Sequence, residues 1–485
     1  MGRLSGVRFG ERGCMADRKR EIGLSTDLYQ LTMGASYLAL GISGRATFSL
    51  FVRGLPAPRS YLVAAGLEDA LDRLSTMTFD AGALEYLRST GQIRPEFVDA
   101  LCDFRFDADV WAVPEGRLVF ADEPLLEVQG SIIETQLAET VLVNALHYAT
   151  IVATKAARCM VAAPGKSLVE FGLRRTASID AGLVAARSAY LAGFVGTSNV
   201  LAGERFGIPV SGTVAHSFIE IFPNELDAFR AFADTFPGDI TLLIDTYDTL
   251  RGARHAALVA KELAKQGRRV RAVRLDSGDL VMLSKEVRAI LDDAGLPEVG
   301  ILASGGLDEH DLVELQRAGA PIDAYGIGTR LGTSADVPSI DMVYKLVQFK
   351  DRPTLKLSTG KATLVGPKQV WRRHDAEGNF VEDLITCRDE SAPGADWEPL
   401  LEPVMCNGKA LAQPTLAEIR ERHRREIERM PNSLFPLDGA SPYPVHLSEK
   451  LQTLQRQATD EVRRRELGNA TQTLDTNGEV DVSDE

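Results

Sequence analysis

Seven histidines occur in the chain, and His216 stands apart from the others. It closes the run Gly212-Thr-Val-Ala-His216 at the end of an apolar stretch, where Gly212 and Ala215 leave room for a ligand. Taken alone, a histidine after a strand is usually structural. Here the hydroxyls of Thr213 and Ser217 flank an imidazole suited to proton transfer or to a covalent phosphoryl intermediate. Two acidic runs accompany it: Asp245-Thr-Tyr-Asp248, and Asp276-Ser-Gly-Asp279 with Arg274 just before it. Carboxylates so gathered can hold ribose hydroxyls or a Mg2+ ion bound to polyphosphate, with Asp279 the candidate metal ligand. The plainer alternative is a helix cap at Asp276 and dipole compensation at Asp279. Ser304-Gly-Gly306 and Gly326-Ile-Gly-Thr329 read as tight turns or as backbone N–H cradles for a phosphate. In Phe171-Gly-Leu-Arg-Arg175, Phe171 can stack on a flat ring and Arg174 can pair with a carboxylate. Gly165-Lys-Ser167 is no P-loop, because Met160 stands where the first glycine is required.

Each of these runs follows a short apolar segment. Strand candidates lie at 167–171, 194–197, 208–212, 240–245, 270–275, 299–303, 322–327 and 341–347, with helical periodicity over 177–192, 198–206, 224–235, 248–266, 279–294 and 308–318. This alternation predicts a parallel sheet with right-handed crossovers, and units this short favour a closed barrel with its chemistry on the rim at the C-terminal strand ends. Outside that region, 26–40 reads as a capped helix, 46–54 and 108–128 as strands, and 131–163 as a long apolar helix. Short alternating strands return over 354–388, followed by charged helices at 415–429 and 448–467. The expected organisation is therefore a flexible extension over 1–20, a discontinuous mixed α/β domain from 21–165 and 350–447, an α/β barrel over 166–349, and a C-terminal helix with a disordered acidic tail over 448–485.

The 485 residues allow a large core, and a net charge of −14 argues against wholesale binding to nucleic acid or anionic membrane. Five scattered cysteines (14, 102, 159, 387 and 406) form no CxxC pair, which predicts neither a disulfide framework nor a metal cage and fits a reducing cytoplasm. No apolar h-region follows the basic first residues, and no uninterrupted apolar run of membrane-spanning length occurs.

Taken together, these runs resemble the nicotinate phosphoribosyltransferase family from about residue 21 to about residue 430. The matching segments are Thr26-Asp-Leu-Tyr-Gln-Leu-Thr-Met33, Phe171-Gly-Leu-Arg-Arg175, Gly196-Thr-Ser-Asn199, Gly212-Thr-Val-Ala-His216, Asp245-Thr-Tyr-Asp248, Val273-Arg-Leu-Asp-Ser-Gly-Asp279, Ala303-Ser-Gly-Gly306 and Gly326-Ile-Gly-Thr329. The resemblance implies the type II phosphoribosyltransferase fold, an incomplete or distorted α/β barrel joined to a mixed α/β domain. It also implies a homodimer with shared active sites. The implied reaction makes nicotinate mononucleotide and pyrophosphate from nicotinate and phosphoribosyl pyrophosphate, with Mg2+ and with ATP as co-substrate. By the same resemblance, His216 is a phosphorylated histidine, and Asp276 holds the ribose hydroxyls. Phe171 and Arg174 line the pyridine pocket, Ser198 tolerates the nicotinate carboxylate, and Thr197, Asp245 and Arg274 are further substrate-binding residues. Ser304, Gly305, Gly306, Gly326, Gly328 and Thr329 cradle the 5′-phosphate, and Tyr29 stacks on the ring in a neighbouring subunit.

Three rivals are separated by specific residues. A nicotinamide-specific relative resembles this pattern but carries an aspartate at the position of Ser198, where it would repel a carboxylate. A quinolinate enzyme needs a more basic pocket and has no use for a phosphorylated histidine. A non-catalytic phosphosugar-binding barrel would be expected to lose one of His216, Asp276 or Arg174.

Overall fold

The computed structural model describes residues 22–236, 238–357 and 363–467. The predicted extension over 1–20 and the acidic tail beyond residue 467 lie outside the described residues.

Six parallel strands carry the site: β1 (Ser167–Glu170), β2 (Gly196–Thr197), β3 (Ile240–Leu243), β4 (Val270–Leu275), β5 (Gly300–Ala303) and β6 (Ala324–Ile327). Their order across the sheet is β2-β1-β6-β5-β4-β3. Sequence neighbours β2 and β3 thus stand at opposite edges, and the sheet is an open half-barrel rather than the closed barrel that the short units favoured. Two strand expectations fail for identifiable reasons. The stretch 208–212 makes only a single parallel bridge, Val210 to Thr197. Pro209 beside it has no N–H to donate to a ladder. The expected eighth barrel strand instead runs over Met342–Phe349 and pairs antiparallel with Arg45–Val52, outside the parallel sheet.

That second sheet has seven strands and draws on both sides of the parallel region. Arg45–Val52, Pro124–Ser131 and Asp109–Ala112 come from before it, and Met342–Phe349 and Glu402–Cys406 from its end or beyond. A third sheet pairs Lys368–His374 with Phe380–Cys387 and supports the helix Leu416–Arg429. Apolar residues from the mixed sheet and from the parallel sheet share one continuous core.

The helix Glu139–Ala162 runs through that core. An apolar window within Ile132–Ala162 meets the length and composition of a membrane span, but 67% of it is buried inside the protein. Ala-rich spacing suits this position, since Ala149, Ala153, Ala156 and Ala157 let neighbouring elements approach closely.

Candidate functional site

The parallel arrangement brings the C-terminal ends of all six strands to one rim. Arg274, near the end of β4, organises the centre. Its Nε donates to the Ser304 hydroxyl at 2.9 Å, one terminal nitrogen donates to Thr213 Oγ1 at 3.1 Å, and the other donates to Asp276 Oδ1 at 2.7 Å. The Ser304 hydroxyl donates to the same Asp276 oxygen at 2.5 Å. Asp276 is therefore held through Oδ1 alone, and Oδ2 faces His216 Nε2 across 3.9 Å. That separation exceeds a hydrogen bond, yet it is close enough for direct attraction whenever the imidazole carries charge. On its other side, His216 Nδ1 meets Thr246 Oγ1 at 3.2 Å.

Asp245, just past β3, buttresses the next strand end. Its Oδ2 accepts the Asp276 N–H at 3.0 Å and the Ser277 hydroxyl at 2.6 Å. Its Oδ1 is buried with no hydrogen-bond partner among the described residues. Asp279 is placed differently. It caps the helix Leu280–Asp293 by accepting the Met282 N–H at 3.0 Å. The cap expected at Asp276 thus sits at Asp279, because Gly278, at φ +82°, turns the chain before the helix starts. Asp248 likewise caps Thr249–Ala264, accepting from the Arg251 N–H at 2.7 Å. Among the described residues, no group of three or more His, Cys, Asp or Glu side chains is arranged to hold a metal by itself.

The two glycine clusters line the same rim. Gly305 and Gly306 have φ of +106° and +80°, and a Cβ on Gly305 would lie 2.1 Å from the Asp276 carbonyl oxygen. Only glycine fits there. Neither of their N–H groups has an acceptor among the described residues, so both remain available to a ligand. At the end of β6, Gly326 underlies the Phe171 ring, where a Cβ would approach within 2.4 Å, and Thr329 opens the short helix Thr329–Gly332. Phe171 also lies 5.6 Å from the Arg274 guanidinium. Arg174 is exposed in the turn Leu173–Arg175, and no hydrogen bond or ion pair engages its guanidinium among the described residues.

The whole chain compares with known proteins at the level of sequence and of fold. Residues 24–147 match the nicotinate phosphoribosyltransferase N-terminal domain, 166–361 the nicotinate phosphoribosyltransferase family, and 392–455 the corresponding C-terminal domain. The nicotinate phosphoribosyltransferase pncB2 of Mycobacterium tuberculosis is 46% identical over 440 residues, covering 90% of this chain and 94% of that protein. The crystal structure of human nicotinic acid phosphoribosyltransferase superposes with a TM-score of 0.81 at 32% identity, covering 89% of this chain and 99% of that one. The chain belongs to the nicotinate phosphoribosyltransferase family.

As a nicotinate phosphoribosyltransferase, it is a glycosyltransferase of pyridine nucleotide biosynthesis with a type II phosphoribosyltransferase fold. The structure brings Asp276, Asp245, Arg274 and Ser304 into one hydrogen-bonded cluster, with His216 3.9 Å from Asp276 and Phe171 against Arg274. It does not bring Tyr29 there by any contact within this chain. The Tyr29 helix, Leu28–Ala39, packs on Ile132–Leu137 and Pro95–Ala100, and the tyrosine is 48% exposed. Thr197 is fully buried, and its hydroxyl is already committed, donating to Glu170 and accepting from the Asn199 N–H at 3.0 Å. Thr246, Ser277 and Glu170 also take part, although little in their own runs marks them out. Thr246 and Ser277 lie inside motifs that were read for their carboxylates. Glu170 left one signal, a carboxylate closing the apolar run Ser-Leu-Val-Glu-Phe.

Proposed function

We propose that this chain joins nicotinate to phosphoribosyl pyrophosphate, forming nicotinate mononucleotide and pyrophosphate as the first step of NAD salvage from nicotinate, and that ATP cleavage through a phosphorylated His216 drives the step. The observation that carries this reading is the single rim on which a free arginine, an aromatic ring, an arginine-anchored aspartate and unpaired glycine N–H groups converge. Each suits one part of the substrates: carboxylate, pyridine ring, ribose and phosphate.

In the transfer, the pyridine nitrogen bonds to ribosyl C1 while the C1–O bond to pyrophosphate breaks and its electrons leave with that oxygen. C1 gains positive charge as this proceeds, so positioning and electrostatics matter more than a strong nucleophile. Asp276 Oδ2 is the free acceptor for a ribose hydroxyl, because Arg274 and Ser304 occupy only Oδ1. Gly305, Gly306, Gly328 and Thr329 receive the 5′-phosphate. Arg174 pairs with the nicotinate carboxylate, and Ser198 leaves that carboxylate unopposed where an aspartate would repel it. Mg2+, when bound, neutralises pyrophosphate charge as the bond breaks. The unpartnered Asp245 Oδ1 is the protein oxygen that would fit it, better than Asp279, which caps a helix. A Nδ1–H donated to Thr246 leaves the His216 Nε2 lone pair facing the rim, available to a γ-phosphoryl group.

The test is product analysis with labelled nicotinate and nicotinamide, with and without ATP. The expected result is nicotinate mononucleotide from nicotinate alone, with ATP raising the yield and His216→Ala abolishing that stimulation while the basal reaction persists. ATP-stimulated turnover in His216→Ala would overturn the phosphohistidine.

The same reading calls for a homodimer with shared sites. Leu28, Tyr29 and Leu40 expose one apolar face, and Ile179, Val200 and Val210 expose another beside the open edge of the parallel sheet. Mixing Tyr29→Ala and His216→Ala chains, each expected to lack ATP-stimulated turnover, under subunit exchange should restore up to about a quarter of the wild-type ATP-stimulated activity, since half the dimers are hybrids with one intact site. No recovery despite proven exchange would refute the shared site.

A further inference from the structure

Glu170 ends β1 directly before Phe171 and is 1% exposed. No cation pairs with it among the described residues. Its partners are all polar groups of the two adjoining strand ends. Oε1 accepts the Gly172 N–H in a short hydrogen bond, Oε2 accepts the Thr197 hydroxyl at 2.5 Å, and its backbone carbonyl accepts the Ser198 N–H at 2.9 Å. The turn is fitted closely over the carboxylate. A Cβ at Gly172 would lie 2.8 Å from Glu170 Oε1 and 3.0 Å from the Gly328 carbonyl oxygen. Phe171 N–H donates to the Ile327 carbonyl at 2.8 Å, so the same turn also rests on the end of β6.

Burying a carboxylate without a cation is costly, and burial raises the Glu170 pKa. Stability alone would favour an apolar side chain in this space. What the carboxylate supplies, and an apolar residue cannot, is two acceptors that tie separate strand ends together.

We infer that Glu170 is a positioning residue of the pyridine pocket, clamping the turn that carries Phe171 and Arg174 to the strand end that carries Ser198. This rests on the reading of those three residues as the pocket. The clamp sets the distance between ring, guanidinium and Ser198, so it governs nicotinate rather than the phosphoribosyl half of the site, which hangs on Arg274 and β4 to β6.

The experiment is steady-state kinetics on Glu170→Gln, Thr197→Val and Thr197→Ser, with thermal melts alongside. Gln keeps the volume but can accept only one of the two donors, and Val keeps the shape of Thr197 while deleting the hydroxyl that reaches Glu170. Both variants should raise the nicotinate KM about tenfold while the phosphoribosyl pyrophosphate KM stays within about twofold, and Thr197→Ser should restore the wild-type value. A merely structural Glu170 would lower the melting temperature and leave both KM values of the folded enzyme together. A nicotinate KM within about twofold of wild type in either folded variant, or a parallel rise in both KM values, would overturn the inference. Arg174→Ala in the same assay separates the two claims. If it leaves the nicotinate KM unchanged, the pocket reading falls and the clamp with it. If it raises that KM while the Glu170 and Thr197 variants do not, the clamp alone falls.

Discussion

Two arginine–carboxylate clusters in this molecule look alike on paper and differ in what they leave unfinished. Arg372 lies fully buried in the third sheet. It donates to both oxygens of Asp383 at 3.0 and 2.7 Å, to Glu426 at 2.9 Å and to the Leu118 carbonyl at 2.9 Å, between the rings of Phe120, Phe380 and Tyr443. Tyr443 adds a hydroxyl to Asp383 at 3.0 Å. Arg274 on the rim also grips an aspartate, but there Asp276 Oδ2 and Asp245 Oδ1 are left without hydrogen-bond partners and His216 is 41% exposed. In the first cluster Arg372, Asp383 and Glu426 spend their polar capacity on one another and their immediate neighbours, and join two strands to a helix. The second keeps acceptors in hand for something that is not protein. Neither charge density nor an unpaired buried atom sets the rim apart, since Glu123 and Arg158 in the scaffold also leave buried atoms unpaired; the difference is that Asp276 and His216 keep unpaired atoms on partly exposed side chains at the strand ends.

The comparison breaks most sharply at Arg372. Arg372→Ala leaves Asp383 buried without its cation and Glu426 with Arg117 alone, with an expected loss of about 3–5 kcal/mol in folding stability. Chemical denaturation measures it, and turnover per folded molecule should hold. A stability change under about 1 kcal/mol would mean that this cluster, too, is unsaturated. At the rim the pattern inverts. Asp276→Asn should cost about 3 kcal/mol in kcat/KM, roughly a hundredfold, with a much smaller change in melting temperature. If Asp276→Asn instead unfolds the chain while the folded fraction stays active, the rim cluster is scaffold.

The rim was legible from sequence because each polar run follows directly on a short apolar strand, and parallel pairing then places every strand end on one side. The edges of the sheet were not legible. Met342–Phe349 has a strand's composition, but its partner Arg45–Val52 lies far upstream, and nothing local distinguishes an antiparallel from a parallel neighbour. Asp276 and Asp279 were exchanged as helix cap because the positive φ of Gly278 delays the helix start. Glu170 and Thr246 escaped notice for a related reason. Their roles consist of contacts across the sheet, to Thr197 and to His216, which no single run of sequence contains.

The smallest expected effect lies at the border of the saturated cluster, where His374 Nε2 meets Glu398 at 2.9 Å and Arg117 holds the same carboxylate at 2.7 Å. The hydrogen bond to Glu398 raises the His374 pKa above its ordinary value, while His374 and Arg117, outweighing burial, draw Glu398 down to about 2. A histidine whose pKa rises on folding stabilises the native state fully below its unfolded pKa of about 6.5, and that contribution fades as pH climbs through the folded value. Glu398 acts in the other direction, giving stability above its ordinary carboxylate pKa that is lost as pH falls towards 2. Burial lowers the pKa of His147 and His423, so those two favour the folded state at higher pH and partly mask the effect in the wild type. The difference between wild type and His374→Gln removes that background. Wild type should exceed the variant in melting temperature at pH 6, and the gap should narrow steadily above about pH 6.5. A gap that is constant from pH 6 to pH 9 would show that His374 binds Glu398 as a neutral donor.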